Sequence, residues 1–216
     1  YEMWIYLPAV LLSDAKSDVI FGNCNAANNN GIRIDIKENA FGEIRLSYLG
    51  DWAQAVSWGA GATISADTWT HVAITHDIAT REVKFYFNGV LGATRDLGFT
   101  PDPEKVLANT TFYLGADGHD RSSLTEPRVL GDFAAYSDVR SADEIAASYK
   151  NGIDVNDANL MLYWDIPETG KGQDIKDESS NKVDLEYNSL LVSDRSKESY
   201  STSKGFDVVP QTYEMW

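Results

Sequence analysis

Residues 82–94 specify a strand, a turn and a second strand from local chemistry alone. Glu82-Val83-Lys84-Phe85-Tyr86-Phe87 is rich in β-branched and aromatic residues; Asn88-Gly89 follows; Val90 to Thr94 resumes the strand pattern. An Asn-Gly pair between such runs marks a two-residue hairpin, because both central positions need positive φ. Further short runs surround it. Glu2 to Leu7 is stopped by Pro8, and Asp18 to Phe21 leads into an Asn-rich turn ending at Gly31. Gly31 to Ile36 and Glu43 to Tyr48 alternate strictly, as half-buried strands do, and Thr70–Thr75, Thr111–Gly115 and Gly131–Tyr136 extend the series. One helix stands out. Ser141 and Glu144 form a capping box, Ile145 and Tyr149 share a buried stripe, and Gly152 closes it. Many short strands and one helix predict an all-β, antiparallel β-sandwich.

Composition narrows the partners. The chain has 33 acidic and 18 basic residues, a formal net charge of −15, which disfavours nucleic acid. The acids are scattered, so most form a solvated surface. No apolar run reaches membrane-spanning length. Cys24 is the sole cysteine, so no disulfide forms within one copy, and it reads as a small buried residue. Asn109-Thr110-Thr111 is an N-glycosylation sequon.

A repeat bears on organisation. Tyr1-Glu2-Met3-Trp4 returns as Tyr213-Glu214-Met215-Trp216, although the chain has only three Met and six Trp. The recurrence reads as one unit of a tandem array, which makes another copy of the sequence the main partner.

Three stretches resemble the laminin-G-like, concanavalin A-like jelly-roll superfamily, notably its pentraxin-like bacterial branch. They are the early strand Tyr1 to Pro8, the core hairpin Thr68-Trp69-Thr70-His71-Val72-Ala73 with Val83 to Gly89, and Leu114-Gly115 with Leu130-Gly131-Asp132 and Ser141 to Gly152. Residues 160–187 resemble the family's opening segment, with Leu160-Met161-Leu162-Tyr163-Trp164 as its strand and Asp177-Glu178-Ser179-Ser180-Asn181 as its turn. In the family that segment precedes the early strand; here it follows the closing helix. The expected division is a main sandwich at 1–155 lacking its opening strand. The opening segment of the next sandwich, or of the same one permuted, follows at 156–216, with linker-like loops at 166–182 and 193–205. An open edge would accept a strand from an identical unit. Leu160, Met161, Leu162, Tyr163 and Trp164 are the expected assembly strand, and Tyr1, Met3, Trp4 and Tyr6 the acceptor. A permuted single domain, a continuous array and a donor-strand filament all satisfy both halves, and the duplicated tetrad weighs against the permutant.

Catalytic motifs are missing. Glycosidases on this fold place two carboxylates on one strand, as E-x-D-x-E or E-x-D-x-x-E, and neither spacing occurs. HExxH, GxSxG and P-loop patterns are missing too. His71 is expected to hydrogen-bond within the core hairpin, and His119 lies in a loop. The resemblance implies a calcium site from Asp177 and Asn181 facing Gly131 and Asp132, since calcium takes six to eight oxygen ligands. Glycan candidates are Trp52 and Trp58, which flank a Gly/Ala-rich stretch, with Asp117, His119 and Asp120; Trp4, Trp69 and Trp164 are expected in the core. The expected function is a non-enzymatic, extracellular or cell-surface structural or adhesive module that assembles with identical units. The alternative is a carbohydrate-binding surface domain.

Overall fold

The computed structural model describes residues 1–7, 17–23, 31–37, 43–48, 64–102, 111–114, 129–166, 174–187 and 200–202. Twelve strands and one helix lie in these segments. They are β1 (Glu2–Tyr6), β2 (Ser17–Gly22), β3 (Ile32–Lys37), β4 (Glu43–Tyr48), β5 (Trp69–Asp77), β6 (Glu82–Phe87), β7 (Val90–Asp96), β8 (Tyr113–Leu114), β9 (Val129–Tyr136), α1 (Ala142–Asn151), β10 (Leu160–Trp164), β11 (Leu185–Tyr187) and β12 (Tyr200–Thr202). They form two antiparallel sheets, ordered β10-β9-β1-β5-β6-β7 and β11-β12-β8-β2-β3-β4. The expected sandwich is present. No helix among the described residues is long and apolar enough to cross a membrane.

Alternation along each strand builds the core. Successive side chains point to opposite faces, so Met3 and Ile5 of β1 meet Ile32, Ile34 and Ile36 of β3 in one apolar cluster. Stacked aromatics fill its middle: the rings of Phe21 and Phe133 lie 4.6 Å apart and those of Phe133 and Trp164 5.6 Å.

The hairpin forms as its chemistry requires. Asn88 and Gly89 have φ of 51° and 77°. Asn88 also ties the turn to β5: its side-chain oxygen accepts from the His71 N–H at 3.0 Å, and its own N–H donates to the His71 carbonyl at 2.8 Å. A Cβ on Gly89 would lie 3.1 Å from the Tyr149 ring and 3.3 Å from Ala146 Cα, so glycine also lets α1 dock on the turn. The capping box holds the start of α1, with Ser141 N–H donating to Glu144 Oε2 at 2.8 Å and Glu144 N–H to Ser141 Oγ at 3.3 Å. Ile145 is buried against Ala73 and Tyr86, fixing the helix on the outer face of the first sheet.

The expected open edge is filled by the chain itself. Leu160–Trp164 pairs antiparallel with β9, with Trp164 opposite Phe133. Its partner is therefore β9 and not β1, whose two edges are taken by β5 and β9. So Tyr1, Met3, Trp4 and Tyr6 do not receive this strand: β9 stands between. Residues 174–187, expected to hold part of a linker, form a clamp over β10 instead. Ile175 and Leu185 exchange backbone hydrogen bonds at 3.0 and 2.8 Å, and the Trp164 indole N–H donates to the Val183 carbonyl at 2.9 Å. Within the expected loop at 193–205, residues 200–202 pair with β8 and β11. The second tetrad, 213–216, lies outside the described residues.

Trp164 has no exposed surface. Trp164→Ala is therefore expected to lower unfolding free energy by about 3–5 kcal/mol. Val90→Ser, at a residue 68% exposed, should change it by no more than about 0.5 kcal/mol. Urea denaturation checks both, and equal effects would contradict this packing.

His76 supplies a pH-dependent prediction. Its Nδ1 lies 2.6 Å from the Tyr48 hydroxyl, between the sheets. Burial lowers its pKa from 6.5 to about 4, against a smaller opposing pull from Asp77. The unfolded chain thus binds a proton that the folded chain refuses. This contribution is complete above about pH 6.5 and is lost as pH falls towards 4, by at most about 3 kcal/mol. His76→Gln, which can still accept from Tyr48, should flatten that part of the stability–pH curve relative to the parent; superimposable curves would refute the assignment.

A candidate ligand site on the outer face of the first sheet

The alternation that buries Met3 and Ile5 sends Glu2, Trp4 and Tyr6 to the opposite face. On β5 it sends Trp69 and His71 there, opposite Tyr6 and Trp4 in the ladder. The result is a row of half-buried aromatic side chains on a sheet surface. Tyr6 and Trp69 have ring centroids 5.8 Å apart, and Trp4 lies 5.3 Å from His71 and 5.7 Å from Tyr149 of α1. Trp4 and Trp69, expected in the core, thus lie on the outside; Trp164 alone of the three is inside. Gly131 forms the floor: a Cβ there would stand 3.4 Å from the Trp69 ring and 3.5 Å from Trp4 Cβ. The Trp69 indole thus reaches across β1 to the neighbouring strand.

A bulge places the next group. The β1–β9 register slips at Met3/Trp4, which leaves Asp132 unpaired with φ of 29°. A bulge re-aims a side chain at such a point. The Asp132 carboxyl is grouped with the Asp165 carboxyl and the Tyr163 phenol. Burial, then the Asp165 charge and their shared hydrogen bond, raise its pKa above the usual carboxylate range; the Tyr163 bond opposes this. Burial, then Asp132 and Asp165, push the Tyr163 phenol up.

Beside the row is a pocket of about 10 Å³, lined by Glu2, Trp4, His71, Asp132, Ser148 and Ile153 among others. That is room for one water or one hydroxyl group. Glu2, 1% exposed, forms its floor. Ser148 donates to Glu2 Oε1 at 3.4 Å, and Arg140 Nε lies 3.5 Å from the same oxygen. Glu2 Oε2 is 3.3 Å from His71 Nε2, but the two are not aligned as a hydrogen bond, and among the described residues neither Oε2 nor His71 Nδ1 has a hydrogen-bond partner. Arg140 is shared with other groups, at 2.5 Å from Asp157 and 3.4 Å from Glu144, with its guanidinium 4.1 Å above the Tyr136 ring.

The other charged face is committed to itself. On the β3–β4 ladder Asp35 stands opposite Arg45, and both Asp35 carboxylate oxygens accept from that guanidinium; Arg33 lies 3.3 Å away. Asp35 has no exposed surface, so this trio is a structural ion pair.

The residues of the expected calcium set have other partners. Asp177 Oδ1 accepts from the Tyr163 and Ser179 N–H groups at 2.9 and 2.8 Å, and Oδ2 from Ser179 Oγ and Val183 N–H at 2.8 Å each. Four donors use up the lone pairs a cation would need. Asn181 Nδ2 donates to the Met161 carbonyl at 2.7 Å. Among the described residues no three His, Cys, Asp or Glu side chains are grouped to hold a metal. The Asp-x-Ser-x-Asn turn fits a hydrogen-bonded clamp on β10 and does not fit a calcium site. Trp52, Trp58, Asp117, His119, Asp120 and Asn109 lie outside the described residues.

Sequence reading missed Glu2, Trp69 and Asp165 as site residues and gave Tyr163 only a place in the assembly strand. A signal for two of them was present. The runs Glu2-Met3-Trp4-Ile5-Tyr6 and Trp69-Thr70-His71 each segregate one set of side chains by twos, and the core can take only one set.

Asp177→Ala is expected to cost about 2–4 kcal/mol by stranding buried donors. Millimolar calcium should leave the melting temperature of the parent unchanged. A calcium-dependent rise that Asp177→Ala abolishes would restore the metal reading.

The fold is shared with solved structures. A Bacteroides ovatus protein named as a candidate carbohydrate-binding protein superposes with a TM-score of 0.62 at 17% identity, over 97% of this chain and 53% of that one. The chain thus spans about half the length of that structure. The IT-sialidase CBM40 of Ruminococcus gnavus, bound to α2,3 sialyllactose, matches with a TM-score of 0.48 at 18% identity, over 68% of this chain and 81% of that one. A Limulus polyphemus SAP-like pentraxin gives 0.46 at 12%, over 73% and 70%. No curated protein sequence matches. Residues 1–146 match the Laminin_G_3 family, and with two antiparallel sheets packed face to face the chain belongs to the concanavalin A-like lectin/glucanases superfamily.

Proposed function

We propose that this chain is a non-catalytic glycan-binding module that works outside the cell or at its surface. The row of half-buried aromatics on the outer face of the first sheet carries the reading. Trp4, Tyr6 and Trp69 offer flat apolar surface for the C–H face of a sugar ring, while Asp132, Asp165 and Tyr163 offer hydrogen-bonding groups at its edge. Membership of the superfamily supports it, as does the fold shared with the Bacteroides ovatus protein. Binding without hydrolysis fits a chain that lacks the paired-carboxylate strand motif of glycosidases on this fold.

The assembly reading has less behind it. Its donor strand is seated against the chain's own β9, so fibril formation by strand exchange lacks its open edge. The repeated Tyr-Glu-Met-Trp favours a serial arrangement of such modules, which would raise avidity for a multivalent glycan without any exchange of strands.

Binding to an immobilised oligosaccharide panel tests the proposal. The parent should retain a subset of glycans and release no reducing ends from them. Trp69→Ala should weaken binding by roughly tenfold or more, the loss of about 1–2 kcal/mol of stacking, while keeping the parent's melting temperature to within a few degrees. Retention unaffected by Trp69→Ala would remove this face from the function.

A further inference from the structure

The site's charge and the size of its pocket limit which sugars it can take, an inference that rests on the glycan reading above. The pocket beside Trp4 holds one hydroxyl-sized group. Glu2, one of its lining residues, carries a buried carboxylate oxygen, Oε2, with no hydrogen-bond partner among the described residues. A carboxylate oxygen offers lone pairs. Buried acceptors without donors cost free energy until a donor arrives. A sugar O–H reaching down from a ring stacked beside Trp4 would supply it.

Charge excludes the acidic alternatives. Glu2, Asp132 and Asp165 gather at or beside the pocket, and among the described residues no lysine or arginine lines it. Arg140, next to Glu2, already serves Asp157 and Glu144 and stacks on Tyr136. A sugar carboxylate here would face carboxylates that outnumber the one nearby guanidinium, Arg140, which is shared among Glu2, Asp157 and Glu144, and the formal net charge of −15 adds repulsion at longer range. We infer that the site is selective for neutral glycans, seating one sugar hydroxyl beside Glu2, and that it rejects sugars carrying sialic or uronic acid.

Calorimetric titration with matched pairs tests this. Each pair is a neutral oligosaccharide and its counterpart carrying one sialic or uronic acid. The neutral member should bind at least about tenfold more tightly at low ionic strength, and the gap should narrow as added salt screens the charges. Asp132→Asn should narrow it too, by strengthening binding of the acidic member. Glu2→Gln should do the same, and because Glu2 is buried, Asp132→Asn serves where that variant fails to fold. Equal or tighter binding of the acidic members would overturn the selectivity and leave the glycan reading standing. Failure of every member to bind would bring down the glycan reading, and this inference with it.

Discussion

The seating of Trp164 is the interaction on which the rest of this sandwich depends. The indole lies stacked on Phe133, near Phe21 of the other sheet, and its N–H is satisfied by the Val183 carbonyl. Those contacts join β9, β2 and the segment after β10 in one place. Without them the first sheet would end at β9, with an apolar slot beside it and a row of unpaired backbone groups. With them the edge of the sheet is the chain's own β10, and β9 is held on both sides. That support matters for the outer face, because Gly131 and the Asp132 bulge both lie on β9.

The clamp over β10 explains how a five-residue strand holds this position. Asp177 binds the Tyr163 N–H, its own turn and the Val183 N–H, so one buried carboxylate fixes strand, turn and return segment together. Hydrogen bonds to an ionised acceptor are about twice as strong as neutral ones. Ser179 and Asn181 add bonds to the Met161 carbonyl. The same residue types in the same spacing would also suit calcium, and only the position of the donors separates the two outcomes.

Local features were legible in the sequence, and long-range ones much less so. The hairpin at Asn88-Gly89 and the capping box at Ser141 depend on neighbours within a few residues, and both form as expected. Alternation assigned Glu2, Trp4 and Tyr6 to one face and Met3 and Ile5 to the other, but which face is inside depends on the second sheet. Trp4 and Trp69 were therefore misplaced in the core. Residues 160–187 resemble the family's opening segment, but the resemblance does not give their destination. Whether Leu160–Trp164 returns to its own β9 or goes elsewhere is a question of chain connectivity, and side-chain pattern is the same in either case. Asp177 is a similar case, because its four donors come from positions that only the folded chain brings together.

Amide hydrogen exchange at residues 160–164, followed over a wide dilution series, tests the central claim most directly. A strand seated in its own molecule should show protection matching that of β9 and independent of protein concentration. Protection that falls on dilution, together with a loss of oligomer, would mean that the strand comes from a second molecule and would contradict the closed single-chain sandwich described here.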